Sequence, residues 1–416
     1  MPPPEPNPPH PRRPPPSPSP QSQRALDWLN FFIADVETAF GPFVATYLTI
    51  AGWRQGAIGT VITVNSAIAL ATQVPAGWAV DHVYSKRLFV ALCLACIAAG
   101  SLLIALFPNF LVVAAGEALH GITGGAIRTA IAALAIGLVG HRALHTRVGR
   151  NLRYDSFGNA ATAAGMGALG QFVSPRAPFI AAAGLCLPAT AMLGRIRRKE
   201  VSYARARQAP PDDERRAARW RDIFTHRAIL IFTAGLFLFQ FTNASILPLA
   251  TERLAVHFRY ESEIITAALV IVPQTVTALL AAWVARKSDE WGRKRLLLIA
   301  FLALFVRTIL FTMAFGPWYL VAIQVLDGID AVVIGILTPL VIADCTRHTG
   351  RYNFTFGVVG MLSGIGAAVS TLATGVLAQA FGFTAAFLAL SGVAAGGVAV
   401  IGLLLPETVE ESRRED

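Results

Sequence analysis

Eight ionisable side chains stand inside long apolar stretches of this chain: Asp35, Glu37, Glu117, His120, Arg128, Arg307, Asp327 and Asp330. A bare charge in hydrocarbon costs about 3 kcal/mol on insertion scales unless it is paired or wetted. Groups retained at that cost are suited to holding a charged solute or to taking up and releasing a proton. Other chemistry finds little support. No His/Cys cluster has metal-ligand spacing and no nucleophile stands with a base, so neither a metal, nor a cofactor, nor enzymatic turnover is expected. Cys93-Leu-Ala-Cys96 has the spacing of a redox pair, but it lies in an apolar run without a βαβ context and reads as packing.

The elements that position these charges follow from composition. Of 416 residues, 54% are hydrophobic and only 14% are charged, which is the balance of a chain solvated by lipid. A helix of about 20 apolar residues crosses about 30 Å of hydrocarbon. Runs of that kind are expected at Leu26–Ala51, Gly56–Asp81, Leu88–Phe107, Asn109–Leu138, Leu152–Val173, Ala177–Ile196, Ala228–Leu249, Ile264–Val284, Leu296–Phe315, Trp318–Asp344, Phe354–Phe381 and Phe383–Leu405. They are continuous rather than alternating, which excludes a membrane barrel. The reading is an all-α membrane protein of twelve transmembrane helices with the lipid bilayer as its solvent.

Charge sets the orientation. Of 35 Lys and Arg, 29 fall in the two tails and in the gaps after spans 2, 4, 6, 8 and 10. Loops on the cytoplasmic side retain positive charge, so both termini are expected there, in a plasma (inner) membrane. The net charge of +10 is spread over loops and not gathered on one basic face, which argues against a nucleic-acid partner.

The chain divides into a Pro-rich disordered tail (1–24), six spans (25–196), a basic linker (197–227), six more spans (228–405) and a short tail (406–416). The two sets of six look duplicated. Gly77-Trp-Ala-Val-Asp81 runs on to Lys86 and Arg87, and Ala285-Arg-Lys-Ser-Asp289 runs on to Gly292, Arg293, Lys294 and Arg295. Glu117-x-x-His120-Gly121 is echoed by Gln324-x-x-Asp327-Gly328, and Thr146-Arg147 by Thr346-Arg347. A six-plus-six repeat places a binding site near the midplane between the halves.

On these residues the chain resembles the major facilitator superfamily of secondary transporters, over roughly Leu26 to Leu405. The family's loop signature after the second span is matched by Gly77, Asp81, Lys86 and Arg87, with Tyr84 where the loop glycine would stand. The copy after the eighth span retains Asp289, Gly292, Arg293 and Arg295. The resemblance implies that Asp81 meets the start of span 11 near Arg351, that Asp289 meets the start of span 5 near Arg153, and that these contacts close the cytoplasmic side. It also implies that spans 1, 4, 7 and 10 line a cavity, which selects Asp35, Glu37, Glu117, His120, Arg128 and Asp330 for substrate or proton binding.

Helical rise adds depth to this list. Asp35 and Arg128 both lie about 13–15 Å from the cytoplasmic ends of their spans, so they can pair. Arg307 and Asp327 share a depth of about 12–14 Å from the outer ends and read as a structural ion pair. Glu117 and Arg128, eleven residues apart, return to one helix face about 16 Å apart along the axis. The expected function is export of a small organic solute by a monomer, with protons as the coupling ion. Uptake of a metabolite or metal chelate is the second reading and a non-transporting sensor or membrane-assembly protein the third.

Overall fold

Long apolar runs in lipid leave the backbone no water to bond to, and helices satisfy their amides internally. The computed structural model describes residues 18–38, 41–209, 226–257, 262–313 and 316–408. Among these the chain forms α1 (Pro20–Thr38), α2 (Gly41–Ile50), α3 (Gln55–His82), α4 (Lys86–Leu106), α5 (Phe110–Val139), α6 (Leu144–Phe172), α7 (Ala177–Arg195), α8 (Tyr203–Arg207), α9 (Arg227–His257), α10 (Ser262–Glu290), α11 (Arg293–Thr312), α12 (Pro317–Cys345), α13 (Tyr352–Phe381) and α14 (Phe383–Ala399). A 3₁₀ turn at Arg198–Glu200 precedes α8, and a π turn at Val400–Leu404 follows α14. Where caps are visible they are polar: the side-chain oxygens of Ser85 and Asn109 accept from the Leu88 and Val112 amides at 3.3 and 3.0 Å.

Ten of these helices are long and apolar enough to cross a membrane. Together with α1–α2 and α6 they account for the twelve expected spans of the two-repeat fold. The two exceptions are polar for a reason. Helix α6 begins at Leu144, eight residues before the expected Leu152, because its first two turns carry His145, Arg147 and Arg150. Helix α1 begins at Pro20, inside the stretch expected as disordered tail, because its polar first turns have partners. Buried Asp27 pairs with Arg147 and Arg150 of α6, and Ser19 donates from its amide and hydroxyl to Glu200 at 3.0 Å. Burial alone would raise the Glu200 carboxyl, but hydrogen bonds from Ser19 and Ser22 outweigh it and hold the group below the usual carboxylate range. The rest of the proline-rich tail, 1–17, lies outside the described residues.

Each half has its own apolar core. One runs from Ala25 to Ala206; the other runs from Phe232 to Leu405 and takes in Ile136, Leu144 and Val148 from the first half. Exposed Leu92, Leu187, Leu279 and Leu372 lie on the outer surface, where lipid replaces water and leaves them without penalty. The ends of the helices that carry Ser19 and Thr408 form one face, called here the tail side.

The halves meet chiefly through two helix pairs, α3 on α13 and α6 on α10. The first contact is close enough to require glycine. A Cβ on Gly77 would run into the Asn353 carbonyl, and one on Gly357 would run into the Gln73 carbonyl. Both obstacles are backbone and cannot rotate away. Farther from the tail side, Gly165 and Gly167 of α6 and Gly375 of α13 face open space. Along the first pair, Gly364 of α13 still meets the Leu70 side chain of α3, so the close approach runs from the tail side well into the helices.

Gly357→Ala should therefore wedge α13 from α3 at a cost of about 1–3 kcal/mol, the usual range for overpacking. The check is labelling of an introduced cysteine from the tail side. It should rise relative to the parent at equal expression, and unchanged labelling would mean that the helices absorb the methyl.

Candidate functional site

The tail-side seam is built around Asp81, the penultimate residue of α3, which is fully buried. Its carboxylate accepts from the Asn353 amide at 3.3 Å, the Asn353 side chain at 2.8 Å and the Phe354 amide at 2.9 Å. These are first-turn donors of α13, where unpaired N–H groups and the helix dipole favour an anion. A carboxylate from the first half thus caps a helix of the second. The expected contact near Arg351 is carried by Asn353 and Phe354.

The other residues of the first signature hold this cap in place. Lys86 donates to the Val80 carbonyl and, at 2.7 Å, to that of Val83, and its ammonium lies 4.9 Å from the Tyr203 ring centre. Arg87 closes α7 by donating to the Leu193 and Gly194 carbonyls at 3.2 and 3.0 Å. Tyr203, in the linker after α7, donates to the Asp81 carbonyl at 3.0 Å, and Arg207 donates to Tyr203 and to the Gly350 carbonyl across the seam at 3.0 and 3.2 Å. Tyr84, standing where the loop glycine was expected, stacks on Tyr203 with ring centres 4.3 Å apart.

The second copy closes differently. Asp289 pairs with Arg293 and with His145 of α6, each at 2.8 Å. The expected contact with the start of this helix is carried by His145, in its first turn because α6 starts earlier, and the Arg153 guanidinium lies 5.7 Å from the Phe157 ring. Arg293 also reaches Asp344 at 3.1 Å, and His141 reaches the same carboxylate at 3.2 Å. Gly292 has φ +83°, and Glu407 accepts from the next two amides, Arg293 at 2.7 Å and Lys294 at 3.1 Å, where a Cβ on Gly292 would stand. Arg295 is exposed.

Beside this seam lies a cavity of about 430 Å³ walled by both halves, within the usual size of a small-molecule site. Its polar wall includes Asn30, Gln73, Arg128, Asp155, Gln240 and Thr338. The Gln73 Oε1, Thr338 Oγ1 and Tyr352 hydroxyl atoms on this wall are buried without a hydrogen-bond partner among the described residues.

Of the charged residues expected at the cavity, Arg128 lines it and interacts electrostatically with Asp155 of α6. Asp35 and Glu37 lie on α1, and their side chains fall outside the described residues. Glu117 is packed away from the cavity against α3. Asn65 donates to it at 2.6 Å and lies 3.3 Å from His120 Nδ1. Glu117 therefore does not share an open stripe with Arg128: at Gly121 a Cβ would strike the Asn65 carbonyl, so α3 covers that part of the face. Asp330 is likewise off the cavity. Buried Arg307 pairs with Asp327, with Asp330 at 3.3 Å and with Asn243. Asp327 and Asp330, three residues apart on one face of α12, share a single guanidinium.

Several contributors are absent from the sequence-derived set. Asp155 lies within the fifth expected span and meets the same rule as the other intramembrane charges. Asn353, Tyr203, His141, His145 and Asp344 carry no such signal, since each lies in a loop or at a helix end.

Comparison with known proteins follows the same outline. The sequence model of the Major Facilitator Superfamily matches residues 26–306 and 235–416. An uncharacterised MFS-type transporter of Mycobacterium tuberculosis, found in two strains, is 35% identical over 395 residues, covering 94% of each chain. The crystal structure of the human organic anion transporter MFSD10 (TETRAN) superposes with a TM-score of 0.68 at 15% identity, covering 92% of this chain and 100% of that one.

Double-mutant cycles separate the candidate partners of Arg128. Arg128→Ala and Asp155→Asn should each lower thermal stability in detergent, with a coupling of about 1 kcal/mol or more in the double mutant. The cycle with Asp35→Asn tests the second proposed pair in the same way. Additive losses with Asp155 would show that the two groups do not meet.

Proposed function

The chain belongs to the Major Facilitator Superfamily and is a multi-pass secondary transporter, and from that premise we propose that it exports a small organic solute by alternating access, driven by proton entry. The observation that carries the reading is a cavity shared by both halves beside a seam that is closed on the tail side. The bias of Lys and Arg toward the tail side supports a cytoplasmic assignment for it, and the bacterial relative supports the plasma membrane. On that assignment the arrangement is the outward-facing one. Asp81 and the Asp289–Arg293 pair are its cytoplasmic gate, and the monomer is the working unit.

The cavity wall favours an amphiphilic substrate. Ile33, Ile131, Leu152, Leu236, Ile334 and Phe356 are among its apolar lining, while Arg128, Asp155 and the amides of Asn30, Gln73 and Gln240 orient polar groups. A compound of that kind partitions into the inner leaflet and reaches an inward-facing cavity from there. Proton coupling is assigned to carboxylates away from the solute. Arg307 can neutralise one of Asp327 and Asp330, so the second is most stable in hydrocarbon when protonated. One Glu117 oxygen is buried without a partner among the described residues, which suits a carboxyl that cycles its proton.

Flux in proteoliposomes tests this. A compound panel on a deletion strain identifies candidates, and the purified protein should then move them against an imposed proton gradient. Asp330→Asn should retain folding and substrate binding but lose the dependence of flux on that gradient. Accumulation of solute together with protons would reverse the direction to uptake, and an unaltered gradient dependence in Asp330→Asn would remove the cluster from coupling.

A further inference from the structure

A smaller pocket crosses the α6–α10 seam on the side turned away from the shared cavity. It measures about 150 Å³ and is walled by Arg150 and Arg153 of α6 and Arg286 of α10, over a floor of Gly149, Ala282 and Ala285. The floor is where the halves touch, since a Cβ on Gly149 would meet the Ala285 side chain and the Ala281 carbonyl. Leu144, Val148, Asn151, Leu152 and Asp155 are the α6 residues that line the shared cavity. At about 100° per residue, Gly149, Arg150 and Arg153 fall on the opposite face of that helix. Size also separates the two, because small-molecule sites usually measure about 300–1,000 Å³.

Depth and charge define what this pocket meets. Arg286 lies about one turn from the end of α10, and Arg150 lies less than about two turns from the start of α6, so the pocket sits near the tail-side ends of both helices. Exposed Trp283 stands beside Ala282, and exposed Trp28 stands beside Asp27, which pairs with Arg150. Tryptophans on the surface of a spanning protein collect at the level of the lipid headgroups. Arg153 and Arg286 are exposed, and neither has a carboxylate partner among the described residues. Arg150 shares Asp27 with Arg147, and its side chain remains 41% exposed. The acids that follow Arg286 on α10 have cations already: Asp289 meets His145 and Arg293, and Glu290 meets Lys287.

We propose that this pocket holds the phosphate of an anionic phospholipid from the tail-side leaflet, and that the bound lipid ties the two halves together there. Guanidinium forks match phosphate oxygens in geometry and charge, and basic pockets between membrane helices suit anionic headgroups. A zwitterionic lipid would bring a tethered ammonium against three guanidinium groups, so a headgroup of net negative charge is selected. Two of the arginines belong to the first half and one to the second. The full set therefore exists only while the tail side is closed. A ligand that binds one arrangement better than another shifts the population toward it by that difference in affinity, so the lipid favours the closed tail side. Neither a solute nor a direction of transport is required for this.

Distances between spin labels at Arg195→Cys and Arg295→Cys, exposed positions in opposite halves on the tail side, test this once the four native cysteines are replaced. The protein is compared in nanodiscs of phosphatidylcholine alone and of phosphatidylcholine with phosphatidylglycerol. In the parent, the ratio of closed to open distances should rise several-fold with phosphatidylglycerol. Arg153→Gln with Arg286→Gln should abolish the rise. Arg198→Gln with Lys199→Gln, which removes two exposed charges outside the pocket, should preserve it. If the first pair does not fold, each of its single variants should reduce the rise. Native mass spectrometry reads binding directly, and phosphatidylglycerol retained by the parent should be lost several-fold in the Arg153 and Arg286 variants. The proposal is overturned by a parent ratio that ignores phosphatidylglycerol, by a rise that survives loss of both pocket arginines, or by an equal loss in the Arg198 and Lys199 control. A rise produced by inorganic phosphate in phosphatidylcholine nanodiscs would also overturn it, since the occupant would then be a soluble anion.

Discussion

A single buried carboxylate organises the closed face of this transporter. Asp81 ends one helix of the first half and caps the first turn of a helix in the second, through two amides and the Asn353 side chain. Buried anions are costly unless they are met by donors, and here every donor belongs to α13, so the cost is offset only while the halves are together. The contact is reversible because its donors, the exposed amides of a helix start, can be satisfied by water when the seam parts. The glycines at 77 and 357 make this possible by letting the two backbones approach.

Around that contact the linker acts as a strap. Tyr203 and Arg207 tie α8 to the end of α3 and to the Gly350 carbonyl, and Asn353 donates to the Ala206 carbonyl at 3.0 Å. The amino-terminal end of α1 reaches the same region through Ser19 and Glu200. The related seam between α6 and α10 combines a close approach at Gly149, where a Cβ would meet Ala285 and the Ala281 carbonyl, with the contacts of Asp289 to His145 and Arg293.

The intramembrane charges are divided by location. Arg128 and Asp155 face the shared cavity, whereas Glu117 and the Arg307 cluster are enclosed by neighbouring helices within one half. Charges at the cavity can be neutralised by whatever enters it, while the enclosed ones must find partners in the protein or a proton. Under the proposed coupling scheme, that separation keeps solute recognition and proton exchange from competing for one group.

Sequence alone determined what hydrocarbon and water dictate locally. Apolar length gave the helices, the placement of Lys and Arg gave the sidedness expected of the loops, and the repeated acid-to-base strings marked the two seams, because each depends only on neighbours in the chain. Tertiary structure decided who meets whom. Depth along a helix put Arg128 within reach of several acids; the packing of α6 added Asp155 to them, and the early start of α6 brought His145 to Asp289. The face equation of Glu117 with Arg128 held along the helix and failed in space, since α3 covers one end of that face and leaves the other open. A helix period specifies direction around one axis; whether that direction ends at a cavity or at another helix depends on residues of other helices, for Glu117 on Asn65, 52 positions away.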